Sequence, residues 1–429
     1  MAEFGSLLDT GDKIASIVGA VAGLVGLWVA VRAGARLRRR RGLDPRLGAL
    51  LAAQLADAGR HRYRFFGEHV PALSDLYVRS RATLDNPAEG EKPRTVQAAQ
   101  ILTAHHHAVL LGDAGAGKST FLATIAADLA RRARNRRGRG DIAVIVPASD
   151  LVGRRLPDAL ARAVRRDLAV NLSAEVFERQ LTGDGLWRVL VDGLDEIVAA
   201  RDRSEVLWKI KGMLAHPGPY RFVLTCRPLN ETELAELRGT AVGIYDLRPF
   251  DRRELDQFAH RWFAARFPDD RRHADRTASR FLARVAGARL GPVARVPLLA
   301  TIAALVYESE NDRALPSSRA ALYDRFVDHL LDGRNSLDRF RKAIEPDLLS
   351  RGTEGAAAAL WLRSDIRQHV GSLLQACGAA WMTDPEVRLT VVATAWNNAA
   401  APYDLGPDRD RLLRELLLTT GVCTLPTLA

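Results

Sequence analysis

The sequence predicts an α/β fold: a parallel sheet flanked by helices, continued by purely helical chain and preceded by one transmembrane helix. Three observations carry this. Five short apolar runs alternate with helical stretches between His107 and Leu247, the pattern of a sheet covered on both faces. A glycine-rich loop, Gly112–Gly117, stands between the first run and the helix after it. Residues Ile14–Val31 carry no charge and are long enough as a helix to cross a bilayer.

In chain order, the first element is IASIVGAVAGLVGLWVAV, which as a helix reaches roughly 27 Å at 1.5 Å per residue. Glu3, Asp9, Asp12 and Lys13 precede it; Arg32 and the block Arg36–Arg41 follow. Positive charge stays on the cytoplasmic side, so the expectation is a single-pass anchor in the cell membrane with the remaining chain cytoplasmic. A cleaved signal peptide carries its positive charge ahead of the apolar stretch, the reverse of this order. A helix buried in the protein or an oligomer is the plainer alternative. Gly19 and Gly23 form a GxxxG pair that permits close helix–helix approach.

From Gly42 to Ser80 the pattern is helical, with Leu47, Leu50, Leu51 and Leu55 at three- and four-residue spacing. Asn86–Pro93 is polar and turn-rich. The five strands are expected at HAVLL before Gly112, Ile142–Val146, Arg188–Val191, Phe222–Cys226 and Gly243–Leu247. Beyond Pro249 the composition turns helical. The chain therefore divides into an anchor (1–35), a helical linker region (36–98), the α/β domain (99–250), a small helical domain (251–312) and a last helical region (313–429).

The net charge is +11 over 429 residues. Two acid-free runs, Arg32–Arg41 and Arg131–Arg139, hold twelve arginines between them, so the rest of the chain is near neutral. That argues against a continuous nucleic-acid groove; a solvated helix end is the plainer reading of the second run. Cys226, Cys377 and Cys423 lie far apart without CxxC spacing, which gives neither a disulfide framework nor a zinc site. His105, His106 and His107 are adjacent, and alternate residues of a strand face opposite ways, so no metal site is expected there.

Gly112-Asp113-Ala114-Gly115-Ala116-Gly117-Lys118-Ser119-Thr120 fits GxxxxGK[ST] at every fixed position. Glycines let the backbone curl so that successive N–H groups face phosphate oxygens, and the following helix offers its positive end. Lys118 would reach the β- and γ-phosphates, and the Ser119 hydroxyl would ligate Mg²⁺. A second motif, LWRVLVDGLDE, ends a strand in Asp192, placing a carboxylate where it can hold Mg²⁺ directly or through water. Glu196 is the candidate to polarise attacking water, with Asp195 as co-candidate. A third, FVLTCRP, places Arg227 at the carboxyl edge of the sheet, where it could sense the γ-phosphate; a surface ion pair is the alternative.

Together, GDAGAGKST, LVDGLDEI and VLTCRP resemble the NACHT family of the STAND class of signal-transduction NTPases. Leu247–Phe250 resembles the entry to the family's small helical domain. Arg295–Leu299 resembles its proline motif, in which Pro297 would lie against the nucleotide base; the region near Leu76–Arg81 is the other candidate for reading the base. Ala321–Phe326 resembles the helix that follows. The likeness spans residues 70–429. It implies a P-loop NTPase domain over 99–250 and a truncated winged-helix-like region over 313–429, since the family's strand and histidine-bearing helix do not follow before the sequence stops at LLLTTGVCTLPTLA.

The resemblance further implies ATP as the nucleotide, with bound ADP holding the domains closed and ATP opening them to form a homo-oligomer in response to a trigger ligand of unknown identity. The leading expectation is accordingly a slow, regulatory ATP hydrolase, anchored through Ile14–Val31 and signalling in bacterial antiphage defence or a stress response. A nucleic-acid-dependent P-loop ATPase, motivated by the arginine runs, is the alternative. A nucleotide-binding scaffold that hydrolyses poorly is a third reading, which Glu196 opposes.

Overall fold

The computed structural model describes residues 44–383, apart from 59–77, 79–80, 86–94, 98–99, 137, 182–184, 198, 215–217, 229–241, 310–313 and 333–335. The expected anchor Ile14–Val31, the residues Leu76 and Tyr77, and positions 384–429 lie outside the described residues. Among those described, no helix is long and apolar enough to cross a membrane.

Seven strands form one sheet in the order β2-β1-β7-β3-β6-β5-β4. These are β1 Arg81–Leu84, β2 Thr95–Gln97, β3 His107–Leu111, β4 Ile142–Pro147, β5 Trp187–Asp192, β6 Tyr220–Cys226 and β7 Val242–Leu247. The strands β7, β3, β6, β5 and β4 are mutually parallel and correspond to the five apolar runs. The expected all-parallel sheet needs one correction. β1 adds antiparallel to β7, with Ala82 opposite Leu247 and Leu84 opposite Tyr245, and β2 adds antiparallel to β1. RATL and TVQ are too short and too polar to read as strands. The unpaired edge of β7, which would otherwise leave backbone groups open, is what recruits them.

Helices cover both faces. Here α1 is Pro45–Ala58, α2 Lys118–Asn135, α3 Leu156–Leu168 and α4 Ala200–Leu214. On one face Phe121, Leu122, Ile125 and Ala126 of α2 pack with Ala108, Leu110, Ala143 and Leu190 of the strands. On the other, Leu160 and Ala163 of α3 and Val206 and Ile210 of α4 meet Val109, Val144, Val189 and Val191. Alternate residues of the five parallel strands thus feed two separate cores, which is why the runs read as continuously apolar. α1 reaches the edge strand β4, where the buried Gln54 Nε2 donates to the Ala143 carbonyl at 2.6 Å.

A third core holds the helical chain beyond Pro249. It is built by α5 (Arg252–Arg266), α6 (Arg271–Gly287) and α7 (Pro297–Ser309) around Phe258, Trp262, Phe263, Phe281 and Tyr307. α5 starts at a reciprocal capping box, in which Asp251 accepts from the Glu254 N–H and Glu254 accepts from the Asp251 N–H. Among the described residues four more helices follow: α8 Arg319–Asp332, α9 Ser336–Leu349, α10 Thr353–Ser364 and α11 Ile366–Thr383.

Candidate functional site

The strand β3 is fully buried and ends at Leu111, so the chain must leave the sheet through the loop Gly112–Gly117 before α2 opens at Lys118. Gly115 and Gly117 both take positive φ, +78° and +93°, a region open to glycine at little steric cost. Gly112 N–H donates to the Cys226 carbonyl at 3.2 Å, tying the loop's start to β6. The Lys118 ammonium curls back onto the loop, donating to the Gly112 carbonyl at 2.5 Å and the Asp113 carbonyl at 3.2 Å. Burial lowers the Lys118 pKa. Asp113 and Ala114 face solvent at the tip, while Ala116, Ser119 and Thr120 are half-buried.

Because β6 lies between β3 and β5, its carboxyl end falls between the glycine loop and the acidic segment after β5. Thr225 there is completely buried. Its hydroxyl donates to Asp192 Oδ1 at 2.6 Å and accepts from the Gly193 N–H at 3.3 Å. Two residues on, the Arg227 N–H donates to Asp195 Oδ1 and its Nε to Asp195 Oδ2, both at 3.0 Å. One strand end therefore engages two of the three carboxylates. The third, Glu196, folds back over Gly193, which has φ +71°; a Cβ there would stand 2.7 Å from the Glu196 Cδ. Burial, then Asp192, then Asp195 raise the Glu196 pKa.

The helical chain seats on the same loop. Leu298 N–H donates to the Gly115 carbonyl at 3.1 Å. A Cβ on Gly115 would come within 2.8 Å of the Leu298 Cβ, and one on Gly117 would lie 3.9 Å from the Pro297 Cγ. Pro297 thus lies beside the Gly112–Gly117 loop. Arg81 is committed elsewhere. It forks onto Glu254 with Nε to Oε1 at 3.0 Å and Nη2 to Oε2 at 3.1 Å, and reaches Asp251 at 3.1 Å. It lines a cavity of about 660 Å³ with Arg248, Pro249, Arg295 and Val296.

The sequence-predicted residues Gly112–Thr120, Asp192, Asp195, Glu196, Arg227 and Pro297 thus converge on one edge of the sheet. The arrangement suits a nucleoside triphosphate with a divalent cation: a backbone loop turned by two positive-φ glycines, a lysine folded onto it, and carboxylates held at the adjacent strand end. Sequence reasoning left out Thr225 as a site residue. Its signal was a hydroxyl in the apolar, buried second half of the strand, visible as such only once β6 is known to lie beside Asp192.

The three histidines engage separate partners. His105 Nδ1 pairs with the Tyr245 hydroxyl at 2.7 Å, His106 accepts from Arg221, and His107 Nδ1 accepts from the Phe222 N–H. Burial and neighbouring Arg221 lower the His107 pKa to about 4, so it serves as a neutral acceptor.

Comparison with curated proteins gives no match. Among solved structures, the chain is similar to Aeropyrum pernix Orc1 in complex with DNA, at 13% identity and TM-score 0.31 over 78% of this chain and 79% of that one. It is also similar to Thermotoga maritima RuvB, at 15% identity and TM-score 0.28 over 57% and 71%. A chain of the E. coli MS115-1 HORMA:CdnC:Trip13 complex gives 17% identity and TM-score 0.26 over 43% and 63%. Residues 106–266, from the start of β3 to the end of α5, match the family model of the NACHT domain, a P-loop NTPase domain.

Proposed function

We propose that the protein is a membrane-anchored, nucleotide-gated switch that binds and slowly hydrolyses ATP and oligomerises to signal, in bacterial antiphage defence or stress response. The observation that carries it is the bond from Leu298 N–H to the Gly115 carbonyl. It fastens the helical chain directly to the loop that would wrap the phosphates. A ligand that reorders this loop must move or release α7, which is the differential contact a two-state switch requires.

In this reading the Gly112–Gly117 backbone cradles the β- and γ-phosphates, and Lys118 leaves its loop carbonyls for them. Ser119 and Asp192 would hold Mg²⁺, which when bound would supply positive charge to neutralise phosphate oxygens. Glu196, with its raised affinity for a proton, is the base that orients water. Asp195 has both oxygens on Arg227, so its role is to aim that arginine rather than to activate water. Thr225 fixes the Asp192 carboxylate so that its other oxygen stays available.

The test is to purify the full chain in detergent, denature it, and identify the released nucleotide by chromatography. About one ADP per chain is expected from wild type and none from Lys118→Ala. An empty wild-type site with rapid ATP turnover would point to a cycling motor. A Lys118→Ala variant that oligomerises like wild type would remove the nucleotide from the switch.

A further inference from the structure

The edge of the sheet opposite the glycine loop gathers basic residues that lie far apart in sequence. Arg188 of β5 stands directly beside Arg221 of β6 in the parallel register. Arg221 in turn donates from Nε to His106 Nδ1 at 3.2 Å, just ahead of β3. Arg188 and Arg221 each lie two residues before a residue, Leu190 or Val223, that packs with α2. Both therefore share the face that α2 covers. α2 leaves the carboxyl end of β3 and must return to the amino end of β4, because the two strands run parallel. The far end of α2 thus reaches the same edge.

That end carries Arg132, Arg134 and Arg136, with Arg139 just beyond, all exposed. The connection to β4 is fixed against the neighbouring strand. Gly138, at φ +79°, donates its N–H to the Ala133 carbonyl at 2.7 Å. Asp141 accepts from the Leu186 N–H at 3.0 Å and from Arg188 Nε at 2.6 Å. Among the described residues, no carboxylate pairs with Arg132, Arg134, Arg136 or Arg139. The positive field reaches into the sheet: burial first, then Arg221, His106 and Arg188, lower the His107 pKa. A helix dipole is satisfied by one or two cations in the last turn. Like charges facing each other across strands destabilise a sheet. Folding therefore does not require this concentration of charge.

We propose that this edge is a nucleic-acid surface, which grips the phosphate backbone of a duplex without reading its sequence. Guanidinium forks match phosphate oxygens, and phosphate contacts supply affinity but no sequence information. Single strands are held instead by stacking their bases on aromatic side chains. The aromatic residues at this edge are otherwise engaged. Trp187 is fully buried with its N–H on the Arg179 carbonyl at 3.0 Å, and the half-buried Tyr220 gives its hydroxyl to the Phe177 carbonyl at 2.9 Å. The glycine loop lies at the other end of α2, about 27 Å along the helix. A duplex at the amino edge therefore leaves the nucleotide loop and the start of α7 uncovered.

The test titrates the full chain in detergent into a short fluorescent DNA duplex of mixed sequence, read by anisotropy between about 50 and 200 mM salt. With about five phosphates engaged, log affinity should fall against log salt with a slope of about −4 to −5. The triple variant Arg132→Gln, Arg134→Gln, Arg136→Gln should flatten that slope by about three, and Arg221→Gln by about one. Unchanged melting temperature and unchanged nucleotide content would show that the variants fold. Absence of duplex binding at the lowest salt overturns the proposal. So does binding that the folded triple variant retains in full, which would place the contact elsewhere on the chain. Tighter binding of the matching single strand would overturn the duplex reading. Arginine-dependent flotation with phosphatidylglycerol vesicles, without any duplex binding, would assign the surface to lipid instead.

Discussion

At the residue scale, Thr225 and Glu196 separate two ways of serving the same acidic segment. Thr225 has no solvent contact and spends its hydroxyl on Asp192 Oδ1 and the Gly193 N–H. A hydrogen bond to a charged group contributes about 1.5–3 kcal/mol. Thr225→Val is therefore expected to weaken Mg²⁺-dependent nucleotide binding about tenfold or more, and Thr225→Ser to restore it, in a Mg²⁺ titration with a fluorescent nucleotide. Glu196 carries a raised pKa from burial, Asp192 and Asp195. Catalysis by its carboxylate should be lost as pH falls, starting at higher pH than for an ordinary glutamate. Asp195→Asn, by removing a negative neighbour, should move that acid limb to lower pH in single-turnover rates. The same shift sets a sign for stability. A carboxyl with a raised folded pKa opposes folding once ionised, so Glu196→Gln should raise the melting temperature at pH 8 and leave it unchanged well below the raised pKa.

At the element scale, the loop between β3 and α2 and the start of α7 were shaped against each other. Gly115 and Gly117 both need positive φ, but their surroundings differ: 2.8 Å to Leu298 Cβ for one, 3.9 Å to the Pro297 ring for the other. Gly117→Ala meets backbone strain alone, about 1–2 kcal/mol. Gly115→Ala adds a steric conflict of about 1–3 kcal/mol and pushes α7 off the loop. Calorimetry should show Gly115→Ala as the more destabilising of the two. The short, polar β1 and β2 illustrate a related point: neither stands on its own pattern, and both exist because β7 has an edge to cover.

At the scale of the whole molecule, Arg81 is the clasp between the sheet and the helical chain. Its fork onto Glu254, a residue only 8% exposed, also holds the capping box that starts α5. Losing it leaves a buried carboxylate without its cation. Arg81→Ala should destabilise the protein by about 1–3 kcal/mol and split one thermal transition into two, as the sheet and the α5–α7 core melt separately. Arg81→Lys should not rescue it, because an ammonium cannot make the bidentate contact. A single transition of unchanged width would show that the Leu298–Gly115 contact alone couples the two cores.

The five parallel strands, the glycine loop and the acidic turn were legible in the sequence because each rests on local rules: a short apolar run, glycines at fixed spacing before a Lys-Ser pair, a carboxylate at a strand end. The chain by itself determined which chemistry Gly112–Thr120 and Asp192–Glu196 could perform. Tertiary structure alone decided who their neighbours are. Inserting β6 between β3 and β5 brought Thr225 to Asp192 and Arg227 to Asp195. Both follow from how helices and strands bury their apolar faces against each other, a non-local balance that no window of sequence contains.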